Sequence, residues 1–159
     1  MDAKIKQKTL QLLTNGMYVL TSRNGNRFGA ATVTWVSQAS FKPPLLMAAL
    51  RKDGNVFGCL IASRAAVLHV LGKNQKDIAE KFFSPTKESK GMLNGEPYFE
   101  GKTSAPILKS MGAYLECKLV HVCEDYGDHA IVILEVVEAA HHGEVEPLTV
   151  ADSPWKYGG

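Results

Sequence analysis

Asn24-Gly25 lies between two runs of strand-forming residues, 17–22 and 28–35. Asn-Gly is the strongest short-range signal for a tight hairpin, so the chain commits early to antiparallel pairing between neighbours. The later segments follow the same habit. Lys42-Pro43-Pro44 opens an extended segment that runs into the continuous apolar stretch 45–50, which reads as a strand buried on both faces. A strand over 66–71 follows, and two long strands over 114–123 and 130–140 are joined by a turn at Tyr126-Gly127-Asp128. About six strands joined mainly by hairpins predict a mainly β chain, an antiparallel Greek-key-type barrel with peripheral helices, and not an alternating βαβ order.

Three helices decorate this pattern. Over 2–15, Ile5, Thr9, Leu12 and Leu13 share one face and lysines the other, with Asn15-Gly16 as the stop. Val56, Cys59, Leu60 and Ser63 have helical spacing, and Asn74 is placed to cap a helix whose face is Ile78, Phe82 and Phe83. Residues 37–40 read as a polar loop. Residues 84–112, rich in Gly, Pro, Ser, Lys and Glu, read as a long loop of functional or mobile character.

With 159 residues, the chain is expected to form one domain over 1–159 with a real core. A formal net charge of +2 gives no case for nucleic acid or an anionic membrane as partner, although a few cations in one cleft suffice for a phosphorylated ligand. No apolar leader follows the N-terminal lysines, and the run 45–50 is too short to span a bilayer, so a cytoplasmic location is expected. Cys59, Cys117 and Cys123 have no paired spacing and read as small buried hydrophobes.

Several chemistries are excluded. Five residues separate Gly95 from Gly101 in the stretch ending Gly101-Lys102-Thr103, where a phosphate-binding P-loop needs four, and no apolar strand leads into it. No GxGxxG follows a strand, so any nicotinamide nucleotide binds without a Rossmann turn. His141 and His142 are adjacent and point to opposite faces of a strand, so with Glu144 they read as turn residues, and no metal site is expected. His69 and His121 read as hydrogen-bonded strand residues. No GxSxG elbow or carboxylate pair supports a hydrolase.

Four blocks taken in order resemble the flavin reductase-like family of FMN-binding split barrels. They are Gly29 to Ser40 followed by Lys42-Pro43-Pro44-Leu45; Arg51-Lys52-Asp53-Gly54-Asn55 continuing to Gln75, Ala79 and Phe82; Leu115-Glu116-Cys117 with Gly127-Asp128-His129; and the aromatic tail 154–159. Gly-Asp-His opening a strand is the most specific piece. Gly54 and Asn55 stand where many members carry Ser or Thr.

The resemblance implies a flavin, FMN with FAD as the alternative, and NADH or NADPH as electron donor. It implies that Thr32, Val33, Thr34 and Trp35 present strand-edge polar groups to the flavin ring. Ser37, Ala39 and Ser40 would then surround the ribityl chain and phosphate, with Arg51, Lys52 and Asn55 at the phosphate. Against this stand a solvated turn for Arg51 and Lys52 and plain strand propensity for Thr32 and Thr34. Trp35 is either a core residue or a flavin wall. Trp155 and Tyr157 cover the ring or a partner subunit, or dock the tail. His129 is the residue expected near flavin and nicotinamide, the alternative being a hairpin-end pair with Asp128. The family also implies a homodimer with flavin near the subunit interface. The function implied is hydride transfer from NAD(P)H to flavin, with electrons passed to an oxygenase, ferric iron or another acceptor. The competing reading is an electron-carrying flavoprotein reduced by a protein partner. Residues 84–112 and the tail would decide between them, by whether a nicotinamide can lie over the ring.

Overall fold

The computed structural model describes all 159 residues. Helix α1 (Ala3–Leu10) precedes the hairpin of β1 (Tyr18–Asn24) and β2 (Arg27–Val33). β3 (Val36–Ser40) and β4 (Leu45–Arg51) form a second hairpin, and then come α2 (Asn55–Ser63), β5 (Ala65–Val70) and α3 (Lys76–Lys81). Four short strands, β6 (Glu88–Ser89), β7 (Met92–Leu93), β8 (Glu96–Glu100) and β9 (Pro106–Leu108), lead into the long pair β10 (Ala113–Cys123) and β11 (His129–His141).

The main sheet has seven strands in the order β2-β1-β5-β10-β11-β4-β3, every pair antiparallel. Its two edge strands, β2 and β3, are separated in sequence only by Thr34 and Trp35. So short a link forces the two edges of a seven-stranded sheet together at one end, and the sheet must curl. The edges do not pair, so the result is a barrel split along the β2–β3 seam.

Two apolar clusters flank the β1–β2–β5 side. Leu20, Leu50, Leu68, Leu119 and Leu134 fill the barrel interior together with Val56, Phe57 and Leu60 of α2. Met17, Val19, Leu71, Phe82, Leu108 and Leu148 form the second cluster on the other face. Neighbours Val19 and Leu20 therefore enter different cores, as the twofold repeat of a strand requires. Gly29 lets α2 lie directly on β2. A Cβ there would sit 2.5 Å from Val56 Cα.

Several sequence expectations change. Residues 84–112 are not patternless, for β6 to β9 form a four-stranded meander. Its turns are Lys90-Gly91 (φ 52° and 76°) and Asn94-Gly95 (φ 47° and 85°), the pair of positive φ values that a type I′ hairpin needs. Residues 37–40 belong to an edge strand and not a loop. At the first hairpin Asn24 pairs with Arg27, so the two-residue loop is Gly25-Asn26. The first helix stops at Leu10, capped by the Asp2 carboxylate, and buries none of its residues. Asn74 is no cap: α3 starts after Gln75, whose side chain accepts the Gly72 amide at 2.9 Å. β4 is buried on one face only, since Met47 is 44% exposed. Cys59 and Cys117 are buried, whereas Cys123 is partly exposed. His69 is a buried, hydrogen-bonded strand residue, while His121 is exposed. No helix is long and apolar enough to cross a membrane.

Candidate functional site

At the seam the barrel opens into a cavity of about 440 Å³. Its wall is assembled from distant parts of the chain: the end of β2 and the Thr34-Trp35 link, the end of β4, the start of α2, the start of β11 and the C-terminal tail. Ala49 and Arg51 lie on the side of β4 facing away from the Leu50 core, and His129 pairs with Arg51 across the β4–β11 ladder. The cavity therefore opens at the end of these strands, with Leu50 and Val56 of the barrel core on its inner wall.

Aromatic rings dominate its wall. The Trp35 ring lies 4.7 Å from His129 and 5.3 Å from Tyr157 between centroids, while Phe83 meets Trp155 edge-on at 4.9 Å. Polar groups are few. The Thr34 hydroxyl is buried and has no hydrogen-bond partner, the sole such side-chain atom in the chain. An orphaned buried hydroxyl costs about 1–3 kcal/mol, so its presence needs a reason. Gly54, the N-cap of α2, lines the cavity and brings no side-chain cap. The first amides of that helix lack intrahelical acceptors and favour an anion.

His129 Nδ1 lies 2.7 Å from Asp128 Oδ1, and its Nε2 lies 3.4 Å from the Tyr157 hydroxyl. The hydrogen bond from His129 holds the Asp128 carboxyl below the usual carboxylate range. Arg51 is gripped by Asp53 through two bonds of 2.9 and 2.7 Å, which raises the guanidinium pKa and lowers that of the carboxyl. Both groups stay exposed at the rim, so the pair adds little to stability.

Of the residues singled out from sequence, the cavity gathers Thr32, Val33, Thr34, Trp35, Arg51, His129, Trp155 and Tyr157. Ser37, Ala39, Ser40, Lys52 and Asn55 do not line it. Lys52 Nζ donates to the Glu124 and Gly127 carbonyls and ties down the β10–β11 turn. The Asn55 side chain bridges Arg27 and the Phe28 carbonyl. The strand-edge groups expected to face a ligand are largely used inside the fold. The Thr32 N–H donates to Phe82 O and its hydroxyl to Ala79 O, and the Trp35 carbonyl accepts from Ala49. Residues 84–112 stay away from the cavity, and only the tail covers it. Sequence reasoning missed Phe83, Ser153 and the cation Lys156 on the wall. The aromatic tail was the one signal for Ser153 and Lys156, while Phe83, expected on the apolar face of the third helix, lies beyond the end of α3 and is exposed.

The family model described as "Flavin reductase like domain" matches residues 10–157. Diflavin flavoprotein A 1 of Synechocystis sp. is 31% identical over 90% of this chain. The chain spans about a quarter of the length of the diflavin flavoproteins it matches, 28% and 26% for two of them. The FMN reductase (NADH) RutF of Pseudomonas syringae is 28% identical over 82% of this chain and 71% of its own length. The NADH:FAD oxidoreductase SgcE6 of Streptomyces globisporus, solved with NAD and FAD fragments, superposes with a TM-score of 0.77 at 24% identity, over 92% of this chain and 86% of its own. That likeness supports the split-barrel fold.

Proposed function

The chain belongs to the flavin reductase-like family, and on that footing we propose that residues 1–159 act as one unit that binds FMN at the seam cavity and transfers hydride to it from NADH or NADPH. The observation that carries this reading is the unpartnered, buried Thr34 hydroxyl in a mainly apolar and aromatic wall that also includes Gly54 at the uncapped start of α2. A flat heteroaromatic ring with a polar edge and an anionic tail fits each of these features. The name of the Pseudomonas relative supports FMN and NADH as the pair, with FAD and NADPH as the alternatives.

The bound flavin would supply the redox chemistry, uptake of a hydride and a proton. Thr34 would donate to or accept from the polar edge of the ring. The first amides of α2 and Arg51 would hold the phosphate, with Lys156 as a second cation at the wall. Trp35 and Trp155 would exclude water from the ring, and His129, oriented by Asp128, would bind the nicotinamide. The chain's share of catalysis is orientation and exclusion of water.

We further propose a homodimer. On the outward side of β4, β10 and β11, Met47, Val120 and Ile131 are 44%, 48% and 45% exposed, where an uncovered antiparallel sheet normally turns polar residues outward. Ala49 and Arg51 continue this side of β4 into the cavity, so a second copy seated there would adjoin the flavin. Electrons would pass on to an oxygenase, ferric iron or another acceptor.

The test is the visible spectrum of the purified protein, with FMN added if it is colourless, followed by anaerobic NADH or NADPH. Flavin binding and bleaching are expected. Failure to bind added FMN refutes the reading. Flavin that binds but stays oxidised with both nucleotides refutes the reductase and leaves the electron carrier.

A further inference from the structure

Beyond Ser153 the chain makes no backbone–backbone hydrogen bond. The last anchors to the body are the Leu148 amide on Leu71 O at 2.8 Å and the Val150 amide on Asn15 O at 2.9 Å. From there residues 154–159 are held by side chains: Trp155 against Phe83, Tyr157 against Trp35, and the Gln11 amide on the Gly158 carbonyl at 3.0 Å. A segment held this way opens more readily than the ladder beneath it.

This strap is also a partition. Ser153, Trp155, Lys156 and Tyr157 line the seam cavity and, in addition, a cleft of about 310 Å³ against residues 11–15. A displaced strap has room to move into. Its chemical contact with the site is the Tyr157 hydroxyl on His129 Nε2. Asp128 takes the Nδ1 side of the ring, so neutral His129 offers Nε2 as an acceptor, and the Tyr157 O–H is the donor that fills it.

We propose that Tyr157 is a positioning residue that fills His129 Nε2 until a nicotinamide nucleotide displaces it, the strap 154–159 moving toward the 11–15 cleft. This rests on reading the cavity as the flavin and nicotinamide site. The displacing group must be a hydrogen-bond donor carried on a flat ring, and a nicotinamide carboxamide is one. Tyr157 and the nucleotide therefore compete, whereas Tyr157 and the flavin do not.

The test is Tyr157→Phe, which keeps the ring on Trp35 and removes only the hydroxyl. NAD+ is titrated calorimetrically into the FMN-loaded protein, because NAD+ leaves oxidised flavin unchanged. The variant is expected to bind NAD+ roughly three- to tenfold tighter, the worth of one neutral hydrogen bond, with FMN affinity kept within about twofold. In 15N spectra of the protein without nucleotide, the His129 Nε2 signal is expected to move while those of the other histidines stay. Unchanged or weaker NAD+ binding, or an unmoved His129 signal, overturns the gate. Failure of the flavin reading shows elsewhere, as an unsubstituted protein that binds neither FMN nor NAD+, and it overturns the gate with it.

Discussion

Lowering the pH from 7.5 to 5 is expected to weaken the fold through His69. The ring projects from β5 and bridges β1 and β9, fully buried, with Nδ1 3.0 Å from the Val19 carbonyl and Nε2 accepting the Leu108 amide at 3.0 Å. Nδ1 therefore carries the proton, and Nε2 has no place for a second one without losing the Leu108 bond. Burial lowers the pKa from 6.5 to about 4. The sign follows from proton counting. Above 6.5 the ring is neutral in both states. As the pH falls below 6.5 the unfolded chain takes up a proton that the folded chain refuses, and the loss levels off below about 4. At pH 5 the unfolded ring is about 97% protonated and the folded ring about 10%, a difference of about 2 kcal/mol. That is a large fraction of the ~5–15 kcal/mol of a typical domain. Urea unfolding at fixed protein concentration at the two pH values measures it. His69→Gln, which offers a donor and an acceptor but does not titrate, separates this loss from that of the carboxylates. The unsubstituted protein should lose about 2 kcal/mol more than the variant over this interval. Parallel losses in the two proteins would refute the reasoning.

Two further substitutions test the site's architecture. Thr34→Val replaces the orphaned hydroxyl with a methyl of the same shape. It should stabilise the ligand-free protein by about 1 kcal/mol in urea unfolding and weaken FMN binding by roughly five- to tenfold in fluorescence titration. A destabilised variant would mean that the hydroxyl is satisfied after all. Gly29→Ala drives a Cβ against the Val56 Cα and the Asn55 carbonyl, at 2.5 and 2.9 Å. Because backbone cannot swing aside, urea unfolding should show a loss of about 1–3 kcal/mol, with α2 pushed away from the cavity.

The legible parts of this fold were those encoded locally. The 24–25 hairpin, the helix after Arg51 and the two long C-terminal strands follow from turn chemistry and apolar spacing, and each stands within a few residues of its expected place. The β6–β9 meander was missed although Asn94-Gly95 repeats the signal used at 24–25, because short strands rich in charge and glycine obscure the alternation. β3 was hidden for a different reason. As an edge strand exposed over most of its length, it needs no apolar face, and Ser37, Ala39 and Ser40 read as loop. The site was legible where it lies on the matched strands and illegible where it depends on docking. Nothing local places Lys156 or Phe83 on the same wall as Thr34, because the tail reaches that wall through long-range bonds to Leu71, Asn15 and Met17 and ring contacts with Phe83 and Trp35.

The seam stays open because β2's outer edge is already satisfied by groups that are not a strand. The Ala30 amide and carbonyl pair with the Thr86 hydroxyl, and the Thr32 amide donates to Phe82 O, so β3 finds no free ladder there. Side chains and helix ends protect that edge from foreign strands as well as from β3. A barrel closed by β2–β3 pairing would remove both edges, but it would leave no opening beside Thr34 and Trp35. The unpaired Thr34 hydroxyl is a local cost at the open seam, and on the proposed reading a ligand with a polar edge would remove it. On this argument binding and stability are coupled at one atom. Ligand should stabilise the native protein more than it stabilises Thr34→Val, and the difference between the two shifts in unfolding midpoint measures how much of the binding energy comes from satisfying that hydroxyl.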